Sequence, residues 1–138
     1  MVVPFLAEHL SRMRATASAK ACPDLGGALA RLASSGLSRT IVNDAGVVLG
    51  VLGAVPTMPG VCEVFIVASE DQQRFPLVFV RGVREELYTL RSKYRRIQAI
   101  SKNDKFHSRW LSWLGFEREG LMKKYGLNGE DMLMWGLV

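Results

Sequence analysis

Arg96-Ile97-Gln98-Ala99-Ile100, then Asn103, then a run closing on Trp113-Leu114-Gly115-Phe116, is the stretch whose reading decides the fold. Residues 95–101 read as a buried strand. Asn103 or Asp104 offers the side-chain oxygen that caps a following helix, over residues 103–114. Phe106, Trp110, Leu111 and Leu114 recur there at helical spacing, which predicts an inward face. Gly115 stops that helix. Segments 116–124 and 131–137, the second holding Met132-Leu133-Met134-Trp135-Gly136, form a closing hairpin around Gly126-Leu127-Asn128-Gly129.

Upstream, Leu77, Val80, Val83, Leu87 and Leu90 recur at helical period and predict a helix over 75–93. Before it, residues 61–68 form a continuous apolar run, the pattern of a strand covered on both faces. A strand, a helix and a second strand in that order make a right-handed unit with parallel strands over 61–101. Segments 38–43 and 47–55 flank Asp44-Ala45-Gly46, a tight hairpin turn, and residues 56–60 turn the chain again. Residues 2–6 read as a short first strand, followed by a helical stretch over 7–20. Cys22-Pro23-Asp24 breaks the chain before a helix over 25–34, which carries Leu25, Ala28, Leu29 and Leu32 on one face and ends at Gly36. The fold class is therefore α/β (α+β): a mixed, mostly antiparallel sheet with a central parallel strand pair and helices on both faces.

The bulk properties fit one domain over residues 1–138, long enough to bury a core. No apolar run reaches the roughly 20 residues that span a bilayer, and no secretion signal is evident at the N-terminus. Cys22 and Cys62 match no zinc or redox spacing, and Cys62 reads as a buried thiol in a reducing compartment. The net charge of +5 permits an anionic partner without selecting one. Arg81, Arg84, Arg91, Lys93, Arg95 and Arg96 lie on or just after one predicted helix, as a solvated basic face or a surface for nucleic-acid phosphates.

This order of elements resembles the GCN5-related N-acetyltransferase (GNAT) superfamily over nearly the whole chain, through Asn103, the Leu114-Gly115-Phe116-Glu117 stop and Glu119-Gly120. Within it, the hairpin before Glu63-Val64-Phe65, the serine-acidic turn and the basic helix are similar to small GNAT-like proteins of tailed bacteriophages, of the internal virion protein A type. The superfamily resemblance implies acetyl-CoA as cofactor, held where two parallel strands splay and where backbone N–H groups at a helix start meet its diphosphate. It implies cofactor contacts from Val67, Ser69, Gln73, Arg74 and Asn103, and Glu63 as general base for an amine acceptor.

Two features depart from that pattern. Ser69-Glu70-Asp71-Gln72-Gln73-Arg74-Phe75-Pro76 stands where the family has a glycine-rich phosphate loop; it has no glycine, two acids, and a proline that lacks an N–H. Leu111 stands where active members often place a tyrosine acid, and Trp110 and Trp113 have no hydroxyl to replace it. His9 and His107 belong to no metal-ligand constellation and read as surface or capping residues. These departures favour a GNAT-fold accessory or structural component, partnered by other protein subunits such as phage virion proteins and located in the host cytoplasm or the virion. The alternative is an active acetyl-CoA-dependent N-acetyltransferase acting on a protein or small-molecule amine. Nucleic-acid binding ranks below both, because no exposed aromatics interleave with the arginines.

Overall fold

The computed structural model describes residues 1–6, 8–12 and 36–138. The break at Cys22-Pro23-Asp24, the helix over 25–34 and all but the start of the 7–20 stretch lie outside the described residues. The elements are β1 (Val2–Pro4), α1 (Glu8–Ser11), β2 (Arg39–Val42), β3 (Val48–Met58), β4 (Val61–Ala68), a 3₁₀ helix (Glu70–Arg74), α2 (Pro76–Lys93), β5 (Arg96–Lys102), α3 (Lys105–Trp113), β6 (Glu117–Met122) and β7 (Met132–Leu137). The strands form one sheet in the order β1-β2-β3-β4-β5-β7-β6. All neighbours run antiparallel except β4 and β5, which are parallel as the strand–helix–strand unit requires.

Burial explains why the helices lie where they do. Phe79, Val83, Leu87 and Leu90 are the buried residues of the α2 stripe, and they pack on Ile41, Leu52, Val64 and Ile97 of the sheet. Burying each such side chain contributes about 1.5–3 kcal/mol, so the amphipathic period is enough to dock this helix. Leu111 of α3 joins the same cluster, and the stacked rings of Phe79 and Trp110 (centroids 5.9 Å apart) join α2 to α3. The opposite face of β2–β4 buries Thr40, Val51 and Val67, and α1 meets it through His9, whose ring contacts Thr40. Helices therefore lie on both faces.

Three details differ from the expectations. β3 continues through Pro56 to Met58, so the turn occupies Pro59 and Gly60 only. Proline is tolerated here because Pro56 lies beyond the reach of β2 and beside a register shift, where a missing N–H breaks no ladder on that edge. The serine-acidic turn is a 3₁₀ helix capped by Ser69. Phe106, expected to point inward, is 72% exposed, because the first turn of α3 overhangs the edge of the core. Asp104, the second of the two candidate caps, takes the cap position of α3: its side chain accepts from the His107 N–H at 2.7 Å. Gly115, at φ +100°, turns the chain out of α3 as a C-terminal glycine does.

Candidate active-site cleft

The parallel join of β4 and β5 is short. Only Val61–Arg96, Cys62–Ile97 and Glu63–Gln98 pair; beyond them the strands part. From Val64 to Ala68, β4 keeps its partner β3, while its other edge has no strand against it among the described residues. Backbone donors and acceptors along such an edge are available to an extended ligand. Into this gap opens a cavity of about 460 Å³. Its floor is apolar, with Val64, Ile66 and Ala68 from β4, Ala99 from β5, and Trp110 and Leu111 from α3. Polar groups are confined mainly to its rim, where Gln72, Gln73, Lys102 and His107 come from three different elements. Ser101 also lines it, but its hydroxyl is already engaged, accepting from the Trp135 indole N–H and donating to the Lys102 carbonyl, both at 2.9 Å.

Glu63 and Gln98 mark the apex where the strands separate. Both side chains project from the sheet face opposite α2 and α3, since strand side chains alternate and the neighbouring Cys62 and Ile97 belong to the core cluster on the helix side. The Gln98 amide Nε2 donates to Glu63 Oε1 at 3.2 Å. Arg96 Nε in turn donates to Gln98 Oε1 at 3.1 Å, and the Arg96 guanidinium makes a two-pronged pair with the Glu119 carboxylate of β6. That pair lies over Gly136 of β7, where a Cβ would come within 2.8 Å of Arg96 Nη1 and closer still to Glu119. The hydrogen bond from Arg96 holds the Glu119 carboxyl below the usual carboxylate range, and its burial works the other way.

The residues expected to hold the cofactor are distributed differently from one another. Gln73 borders the cavity. Val67 faces the other side of the sheet and is buried there. Ser69 is fully buried; its N–H donates to the Leu49 carbonyl at 2.9 Å and its hydroxyl caps the 3₁₀ turn, accepting from the Asp71 N–H at 3.3 Å. Arg74 is exposed, with its guanidinium 5.9 Å from the Phe75 ring centroid. Asn103 is exposed beside the Asp104 cap. The N–H groups of Gln72 and Phe75 are taken up by the carbonyls of Ser69 and Gln72 within the loop. With Pro76 lacking a donor, Leu77 and Val78 carry the first-turn amides of α2 that helix geometry leaves for an outside acceptor.

His107 was not expected at the cleft, yet it lines the cavity one helical turn before Leu111. Its Nδ1 lies 2.8 Å from each oxygen of Asp104. Burial pushes the Asp104 carboxyl up, but hydrogen bonds from the His107 backbone and ring outweigh it and hold the group below its ordinary range. The Asp104-x-x-His107 spacing at a helix start is the sequence signal that points to this pair. The basic residues of α2 and its C-terminal side are largely engaged within the chain. Arg84 sits over the Trp113 ring, while Arg91 and Arg95 donate to the carbonyls of Val138 and Pro59.

No family model matches the chain, and no curated protein sequence matches it. Solved structures do. Ard1 from Thermoplasma volcanium superposes with a TM-score of 0.83 at 11% identity, over 99% of this chain and 95% of that one. A GNAT-family acetyltransferase from Bacillus anthracis gives 0.77 at 14%, over 99% and 93%. A GNAT-superfamily phosphinothricin acetyltransferase from Sinorhizobium meliloti, solved in complex with AcCoA, gives 0.69 at 19%, over 99% and 86%. The chain has the GNAT fold, a mixed sheet opened at one parallel strand pair. Among the described residues no helix is long and apolar enough to cross a membrane, and no cluster of His, Cys, Asp and Glu is arranged to hold a metal ion.

Proposed function

We propose that the chain is an acetyl-CoA-dependent N-acetyltransferase that uses the β4–β5 cleft. The observation that carries this reading is the cleft itself: an apolar cavity that opens where β4 and β5 part, with Glu63 on their last paired rung and its side chain on the opposite sheet face. The residues fit the thioester arm of such a donor, because the β4 edge from Val64 to Ala68, unpaired among the described residues, can pair with its amides and the apolar floor can cover its chain. The donor supplies an activated carbonyl. Gln73 and the Leu77 and Val78 amides are the groups on the loop side that can face its diphosphate, and Glu70 and Asp71 weaken that end. Glu63 accepts the proton of the attacking amine, directly or through one water, as the C–N bond forms and the C–S bond breaks. The thiolate takes its proton from solvent, since Leu111 has none to give. The acceptor approaches from the Glu63 face of the sheet.

Acetylation of a set of primary amines, followed by thiol release and mass spectrometry, tests this reading. Glu63→Gln should lower kcat by about 100-fold or more while leaving acetyl-CoA affinity unchanged. Unchanged acetylation in that variant removes Glu63 from the role. A second reading, an accessory component of a bacteriophage particle, is favoured by the glycine-free, proline-capped loop Ser69-Pro76. Stoichiometric recovery of the chain in purified particles, without acetyl-CoA binding, would establish that reading instead.

A further inference from the structure

We infer that Gln98 is a positioning residue for Glu63, held in the required orientation by Arg96 and Glu119; this rests on the acetyltransferase reading above. A glutamine amide can present either its oxygen or its NH₂ group to a neighbour, so an unrestrained Gln98 gives no fixed donor. Here the choice is made by Arg96, whose Nε donates to Gln98 Oε1 at 3.1 Å and leaves Nε2 directed at Glu63 Oε1, 3.2 Å away. Arg96 is itself fixed from a third strand by its two-pronged pair with Glu119, above a position that only glycine leaves open. The chain of contacts runs from β6 to β4 along one face of the sheet and ends at the rung where the cleft begins.

The arrangement has a specific consequence for a base. One carboxylate oxygen of Glu63 is occupied by the Gln98 donor, so Oε2 remains for the amine or its bridging water. The carboxylate is thereby fixed against rotation on the sheet face opposite α2 and α3, beside the rung where the strands part. Gln98 touches neither the donor nor the acceptor and acts only through Glu63.

The test combines kinetics with a spectroscopic signature, using acetyl-CoA and the amine set. Gln98→Leu should lower kcat about 10- to 100-fold with the KM for acetyl-CoA unchanged. In the Glu63→Gln background the same substitution should cost nothing further, because the residue it serves is already gone. The Gln98 side-chain amide resonances of the otherwise wild-type protein should move on Glu63→Ala and on Glu119→Gln. Wild-type kcat in Gln98→Leu, an equal loss in both backgrounds, or amide resonances indifferent to Glu63→Ala would overturn the inference while leaving the acetyltransferase reading intact. Absence of both acetyl-CoA binding and thiol release in the wild-type chain removes the reading and this inference together.

Discussion

Glu63 and Gln98, 35 residues apart in sequence, form the last paired rung of β4 and β5, and their side chains are joined by a 3.2 Å hydrogen bond. Immediately beyond this rung the sheet opens. A single register position thus defines the end of the parallel join and carries a polar pair on the sheet face opposite α2 and α3. The cavity floor is apolar, so a charged group that enters finds its partners at the rim, among Gln72, Gln73, Lys102 and His107.

Adding bulk at Ala68 should close the cleft from its β4 wall. Ala68 lines the cavity and is partly exposed, so Ala68→Leu places its extra carbons in open space instead of overpacking the core. Acetyl-CoA affinity should fall at least about tenfold, equivalent to about 1.4 kcal/mol, while the melting temperature stays near wild type. Equal affinity by calorimetry would place the ligand elsewhere.

Acid should weaken the fold through His9 before it reaches the carboxylates. The Leu6 N–H donates to His9 Nδ1 at 3.1 Å and Thr40 Oγ1 lies 2.7 Å from the same atom, so the folded state needs that nitrogen unprotonated. Burial, with Arg12 assisting, holds the imidazole below its ordinary value of 6.5. The unfolded chain binds the proton first, so stability rises with pH across this window and is lost as pH falls below about 6.5. Thermal melts from pH 8 to 5 should show that decline in the wild type and a flatter profile in His9→Leu. Identical profiles would contradict the assignment.

Ser101 should matter for stability out of proportion to its size. Its hydroxyl is the acceptor for the buried Trp135 indole N–H at 2.9 Å. Ser101→Ala leaves that donor unsatisfied and should cost about 1–3 kcal/mol in urea unfolding. A loss below about 0.5 kcal/mol would mean that water replaces the hydroxyl.

Gly136→Ala should displace the Arg96–Glu119 pair at small cost. A Cβ there meets both members of the Arg96–Glu119 pair. The pair is partly solvated, so breaking it is worth only about 0.2–1 kcal/mol, and Gly136→Ala should lose about that much. The Arg96 hydrogen bond depresses the folded-state Glu119 value, so this contribution is present above the usual carboxylate range and disappears as pH falls through the lower folded value. Wild type and Glu119→Gln should therefore differ at neutral pH and converge in acid, which equilibrium unfolding at the two pH values measures.

Much of this fold is written locally. The strand Val61–Ala68 matches its expected bounds because an apolar run is bracketed by Gly60 and Ser69, and α2 begins within a residue of its expected start, but its buried stripe runs through Phe79, Val83, Leu87 and Leu90, whereas Leu77 is exposed and Val80 only half-buried. Pro56 conceals the length of β3, since proline ordinarily ends a strand and only the length of β2 reveals that it is harmless there. Phe106 is concealed in the same way: spacing places a residue on a helix face but does not tell a core from the lip of a cavity. The site was less legible. Glu63 was readable as an acid in an apolar strand, whereas Gln98, Arg96 and Glu119 become its neighbours only through the parallel register and the insertion of β7 between β5 and β6. Ser69 and Val67 adjoin cavity-lining residues in sequence, but side-chain direction takes both away from the cavity.

The most direct measurement is a calorimetric titration of the folded chain with acetyl-CoA. A single site with a micromolar Kd, about −8 kcal/mol, and a negative heat-capacity change from burial of the thioester arm are the expected result. A folded protein that gives no binding heat at millimolar acetyl-CoA would contradict it.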